Sequence, residues 1–544
     1  MVFEELEVEA TMHKTILYAL TCSFIASSGF AAAPQSAKDS RWWSHVSYLA
    51  DDALEGRNTG SEGHRKAAAY VAKEFEKAGL RPGGKDGYFQ SVAFITNELD
   101  ESRSGLTLVG PSGEQALTLG DDANISVRID PAASVDAELV FAGHGLAIPE
   151  ANHDDFQGLD VRGKVVVYLS GPPPSVPAPL AAHMQSARER AGMLSKLGAV
   201  GSVSIANPKH MDIPWERATL ARFIPSMRLA DPEFNDGQGQ KIAIAVNPAR
   251  AEKWFAGSGH TFQGILDAAD AGKPLPRFSL PTRLTAKAAL KQSETESQNV
   301  AAILPGHHPK LKGEYVVFSA HLDHLGVGKP IDGDAIYNGA MDNAAGIATM
   351  LDAAASLKER GIKPDRSILF LAVTGEEKGL LGSRYFTNRP TVDRGALVAD
   401  INVDMYLPIF PLKKLTIYGM QESNLGELAS EVASSLKVAP QADPEPNRNL
   451  FIRSDQYSFI RQGVPSLALK VGFDKGSPEE KLAKEWLTKR YHAPSDDLNQ
   501  PVDHQAAADF NVLVARLLER VANEPERPRW NASSFFKRFA SPGS

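Results

Sequence analysis

His321-Leu322-Asp323-His324 is a place in this 544-residue chain where residue types and position together invite chemistry. It follows directly on the apolar run Tyr315 to Ser319, which reads as a buried strand, so an imidazole and a carboxylate stand at that strand's carboxyl end. A second run, Ser367 to Val373, ends in Thr374-Gly375-Glu376-Glu377-Lys378-Gly379, two adjacent acids in a loop. Neighbouring carboxylates repel, so they face different ways or a cation holds them. Between these segments lies Asn338-Gly339-Ala340-Met341-Asp342-Asn343-Ala344-Ala345-Gly346, a glycine-rich turn entering a helix, where Asp342 is either an N-cap or a ligand. A third run, Ala396 to Val403, is apolar except for Asp400 and Asn402 and finishes at Asp404. A charge in a buried strand is costly without a partner. The last candidate is His492 in the loop Tyr491-His492-Ala493-Pro494-Ser495-Asp496-Asp497. Each feature is weak alone, because a single histidine or loop aspartate is more often solvated or hydrogen-bonded than a ligand. Together they form a nitrogen and oxygen ligand set suited to zinc, with enough ligands for two ions if one carboxylate bridges.

The elements that must position these groups follow from the pattern around them. From about residue 296 onward, the runs just named and a further one, Ser466 to Val471, alternate with helical stretches such as Asn343 to Arg360. This predicts an α/β fold, a mainly parallel mixed sheet with helices on both faces, with ligands gathering at the carboxyl ends of the strands. Near the start, Trp42 to Leu54 and Gly63 to Ala78 read as helices joined by the turn Glu55-Gly56-Arg57-Asn58-Thr59-Gly60. Between about residues 105 and 285 the texture changes to short β-rich runs, Ala137 to Ala142 and Lys164 to Ser170 among them, broken by glycine and by Pro172-Pro173-Pro174. That stretch reads as an inserted β-rich domain. The chain after Asn523 reads as irregular and lying on the surface, and no internal repeat is present.

Composition bounds the function. With 43% hydrophobic and 23% charged residues the chain is globular and long enough for two or three domains. A formal charge of -8 offers no basic field for nucleic acid. His13 and Lys14 precede the apolar run Thr15 to Ile25, and small residues follow through Ala31, Ala32 and Ala33, which predicts a cleaved signal peptide over residues 1–33 and a secreted or periplasmic destination. The apolar run is too short to span a bilayer and no later run reaches about 18 apolar residues, so no membrane span is expected. The single cysteine, Cys22, lies inside this segment. A processed chain would have neither disulfide nor thiol nucleophile, and no Gly-x-Ser-x-Gly elbow offers a serine instead.

The five segments, in this order, resemble the co-catalytic di-zinc aminopeptidases of metallopeptidase clan MH, relatives of the leucyl aminopeptidases and of glutamate carboxypeptidase. The shared pattern is His-x-Asp, Gly-Ala-x-Asp-Asn, Glu-Glu, an apolar strand ending in Asp, and a late Tyr-His. The likeness covers residues 296–522 well and touches 48–82, and residues 138–145 and 154–170 resemble a protease-associated domain. It implies a zinc peptidase fold divided as residues 34–109 and 286–525 for the peptidase, 110–285 for the insert and 526–544 for a tail. It further implies that Asp342 bridges two zinc ions, that His321 and Asp404 complete one and Glu377 and His492 the other. Glu376 would be the general base, and Asp323 would orient His321 through its second ring nitrogen. The implied substrates are peptides with a free N-terminus.

Two positions depart from the pattern: Gln456, in Ser454-Asp455-Gln456-Tyr457, stands where relatives often carry histidine, and Met341 where an acid is frequent. The first reads as bearing on substrate contacts. Other readings stay open. A carboxypeptidase, for which Arg453 and Lys470 are candidate carboxylate holders, or another amide hydrolase could use the same metal pair. A glutaminyl cyclase would need only one ion, and a non-catalytic binding protein would be expected to have lost ligands.

Overall fold

The structure, a computed structural model, describes residues 40–540 except 112 and 238, so the expected signal segment and Cys22 lie outside the described residues. Four strands carry the site: β1 (Tyr315–His321), β2 (Ser367–Val373), β3 (Leu397–Asn402) and β4 (Ser466–Gly472). They lie side by side in the order β2-β1-β3-β4, all parallel. Every residue of β2 and β3 is buried, which is why these runs are continuously apolar rather than alternating.

Successive side chains point to opposite faces and meet two different cores. On one face Val316, Phe318, Ile368 and Phe370 pack with Trp42, Val71, Phe75, Ile347 and Phe510. Those partners come from the helices Arg41–Leu49, Glu62–Lys77, α1 (Ala345–Glu359) and His504–Ala522. On the other face Val317, Leu369, Leu371 and Val373 pack with Phe386 and Phe459, from the helices Leu381–Asn388 and Gln456–Ile460. The parallel centre is flanked by antiparallel strands, Lys414–Tyr418 beside β4 and Leu290–Leu304 then Phe89–Leu99 beyond β2, giving a ten-stranded mixed sheet.

Two helix edges differ from the expectation for local reasons. The helix expected from Asn343 begins at Ala345, because Ala340–Ala344 is a distorted turn in which Asp342 and Asn343 leave helical geometry, at φ −115° and −136°. The peptide bond between those two residues is cis. The stretch expected as one helix from Trp42 to Leu54 is Arg41–Leu49 followed by the 3-10 segment Asp52–Arg57. Positive φ at Glu55 and Gly56 turns the chain there, and a Cβ on Gly56 would lie 2.2 Å from the carbonyl oxygen of Tyr337.

A second sheet of eight strands is drawn from residues between Gly105 and Lys287, slightly wider than expected, with its own core around Phe141, Trp254 and Phe255. One strand from within that range, Ser226–Leu229, pairs instead with Phe89–Leu99 of the ten-stranded sheet. The tail expected to lie on the surface does not simply do so: Trp530 and Phe536 are buried against Tyr457 and Ile460, and Trp530 Nε1 donates to the Gly463 carbonyl at 2.9 Å. No helix among the described residues is long and apolar enough to cross a membrane.

Candidate active site

Strand geometry places the first group of side chains. His321 is the last residue of β1 and Asp404 follows β3, its parallel neighbour, so both emerge at the same edge of the sheet. His321 Nε2 lies 3.2 Å from Asp342 Oδ1 and 3.3 Å from Asp404 Oδ1. Its other nitrogen, Nδ1, meets the backbone carbonyl of Asp323 at 3.0 Å. The ring is therefore held by the main chain of Asp323 and not, as the resemblance implied, by its carboxylate. That carboxylate instead accepts the Glu376 backbone N–H at 3.1 Å and the Thr59 hydroxyl at 2.9 Å. Asp323 thus fixes the start of the Glu376-Glu377 loop.

The second group comes from loops. His492 Nε2 lies 3.1 Å from Glu377 Oε2 and 3.5 Å from Asp342 Oδ2, and His324 Nδ1 lies 2.8 Å from Glu377 Oε1. Asp342 therefore directs Oδ1 at the first group and Oδ2 at the second, the disposition a bridging carboxylate needs. Burial and Glu377 act to raise the Asp342 carboxyl, but hydrogen bonds from His321 and His492 prevail and hold it below the usual range. Burial likewise opposes charge on Glu377 and His492, yet their mutual attraction wins: Glu377 is held well below its ordinary value and His492 is raised to about 10.

Such an excess of buried carboxylate suits a cation. The donor atoms of His321, Asp342 and Asp404 lie within 4.8 Å of one another, as do those of His324, Asp342 and Glu377. Imidazole nitrogen with carboxylate oxygen is a donor set that zinc accepts. His324 Nδ1 and Glu377 Oε1 are moreover buried with no hydrogen-bond partner among the described residues, which fits atoms reserved for a metal.

Glu376 lines the same cleft as Asp342, Asp404 and His492. Burial, with Glu377 and Asp404 adding to it and His321 opposing, raises its carboxyl well above the usual range. Of the cations weighed for the cleft, Arg453 and its neighbour Arg448 are both paired with Asp212, from the β-rich stretch. The Lys470 side chain makes no ion pair or hydrogen bond among the described residues, though Asp404 and Asp342 attract its charge. It stands two residues beyond Ala468, which pairs with Asn402, and so beside Asp404. Gln456 lines the cleft, but it also accepts a hydrogen bond from Asn402 at 2.6 Å and donates to the Phe451 carbonyl at 2.9 Å, so it braces the wall as well as facing substrate.

Sequence reasoning missed three contributors. Asp496 accepts the backbone N–H groups of Met341 and Asp342, at 2.9 and 3.0 Å, and so holds the distorted turn. Arg57, fully buried, donates to the carbonyls of Leu322, Asn338 and Gly339 and ties both ligand loops to the N-terminal segment. His324, readable only as packing or support, stands in the second group itself.

Residues 299–518 match the family model described as Peptidase family M28. The chain is 23% identical to leupeptin-inactivating enzyme 1 of Streptomyces exfoliatus over 63% of its own length and 73% of that protein's. It is 24% identical to carboxypeptidase Q of Xenopus laevis over 33% and 35%. Its fold is that of the aminopeptidase from Aneurinibacillus sp. strain AM-1, with a TM-score of 0.52, 18% identity and coverage of 90% and 97%. The chain carries a peptidase domain of family M28 and is a metallopeptidase.

Proposed function

We propose that the protein is an aminopeptidase that uses two zinc ions to remove single residues from the free N-terminus of peptides. The observation that carries this reading is the shared Asp342, with one oxygen turned to each ligand group and Glu376 lining the same cleft. His321, Asp342 and Asp404 would hold one ion, and Asp342, Glu377 and His492 the other. When bound, the ions supply Lewis-acid polarisation of the scissile carbonyl and a water whose pKa falls toward about 7. Glu376 takes the proton of the attacking water and returns it to the leaving amine, work worth ~100- to 10,000-fold in rate. Asp323 keeps the Glu376 backbone in place for it. The first residues support a secreted or periplasmic location, and the eight-stranded sheet is read as a protease-associated insert whose Asp212 reaches the cleft.

Preference for the N-terminus has two supports. The carboxylates Glu376 and Asp404 that line the cleft suit a free ammonium. Arg448 and Arg453, which could have received a terminal carboxylate, are already engaged by Asp212 and, for Arg448, by Glu445. Lys470 favours the carboxypeptidase reading, since it is a cation beside Asp404 without an ion pair of its own. A panel of aminoacyl chromogenic amides beside N-acetylated amides and N-blocked dipeptides separates the two. Cleavage that demands a free amino group is expected; release of the C-terminal residue from N-blocked dipeptides would move the activity to a carboxypeptidase.

A further inference from the structure

His324 stands one position past Asp323, and nothing in the ligand pattern His321, Asp342, Glu377, Asp404 and His492 gives it a task. Its ring is fully buried, with Nδ1 2.8 Å from Glu377 Oε1 and 3.9 Å from Asp342 Oδ2. The short contact is not an aligned hydrogen bond, because both Nδ1 and Oε1 remain without a partner. Two buried polar atoms this close, each unsatisfied and neither aimed at the other, are costly unless a third atom meets both.

His492 stands in the same relation to the other oxygen of Glu377, Oε2, at 3.1 Å. The carboxylate of Glu377 is thus flanked by two imidazoles, one for each oxygen. The backbone is also shaped around the His324 ring: a Cβ on Gly339 would come within 2.5 Å of His324 Cγ, so a bare glycine is what admits the ring beside the Asp342 turn.

We propose that His324 Nδ1 is a direct ligand of the second metal ion, which is then held by four side chains, Asp342, Glu377, His492 and His324, against three for the first. This rests on the two-zinc reading above. Two imidazoles bias the second group toward zinc and other late first-row ions and away from magnesium or calcium. With four ligands against three, the second ion is the more tightly held and the first the more readily exchanged.

The test uses Asp404→Asn, which leaves only the second group intact, stripped with chelator and reloaded with one equivalent of zinc. X-ray absorption should show two imidazoles on the zinc. Adding His324→Ser should reduce that to one and make the zinc at least about tenfold easier to remove by chelator. One imidazole in Asp404→Asn, or unchanged zinc retention on adding His324→Ser, would overturn the assignment while leaving the two-zinc reading intact. Failure of the wild-type protein to bind zinc at all would remove that reading and this assignment together.

Discussion

His321 and Asp404 follow from the ends of two adjacent parallel strands, and Asp404 keeps 18% of its side chain open to the cleft. Their counterparts in the second group, His324, Glu377 and His492, come from three separate loops, with Glu377 buried and His492 open to the cleft. The first half of the site owes its geometry to the sheet, which fixes neighbouring strand ends without further help. The second half has no such rail and depends on groups that touch no substrate: Asp496 under the Asp342 turn, Arg57 behind both loops, and Asp323 under Glu376. The contrast separates a half fixed by the sheet from a half fixed by loops packed on one another.

The largest effect expected is from breaking the one residue both halves share. Asp342→Asn should weaken the hold on both ions and abolish cleavage, read by chelator titration of each ion; an unchanged hold on either ion would show that Asp342 does not bridge. A smaller loss is expected when only the loop scaffold is touched. Asp496→Asn sets an amide N–H2 against a backbone N–H of Met341 or Asp342, and should weaken metal retention or turnover by roughly 10- to 100-fold without unfolding the protein. No change in either would leave the scaffold argument without support.

The smallest effect lies behind the second half, at His64. Its ring is fully buried and meets Ser297 Oγ at 3.2 Å, which in turn meets Thr374 Oγ1, just before the Glu376-Glu377 loop, at 2.8 Å. Burial lowers its pKa from the ordinary 6.5 to about 3. The unfolded chain therefore takes up this proton first, so stability is full above pH 6.5 and declines as pH falls from there toward 3. At pH 5 the loss is about 2 kcal/mol, at about 1.4 kcal/mol per pH unit. Thermal melts of metal-free wild type and His64→Gln at pH 5.0 and 7.5 should show a smaller acid-induced drop in the variant; equal drops would contradict the assignment.

The half of the site built on strands was the more legible in the sequence. Apolar runs that end abruptly in His321, Glu376 and Asp404 mark strand ends of a parallel sheet, where such groups converge whatever the loops do. Loops gave less. His324 and Asp496 look like ordinary polar residues, because their roles depend on where separate loops meet and no periodicity encodes that. Asp323 was expected at His321, and its backbone oxygen is there, but its carboxylate serves Glu376: spacing gives the neighbour and not the atom. The distorted turn at Ala340–Ala344 was hidden in an apparently continuous helical pattern, and Trp530 and Phe536 gave no periodic signal that the tail packs back onto the domain.

The central claim is that Glu376 acts as the proton carrier beside a metal pair held by other residues. Glu376→Gln with zinc content and aminoacyl-amide turnover measured on the same sample tests it most directly. About two zincs per chain with turnover reduced ~100- to 10,000-fold is the predicted result. Turnover near the wild-type rate with both zincs bound would contradict it.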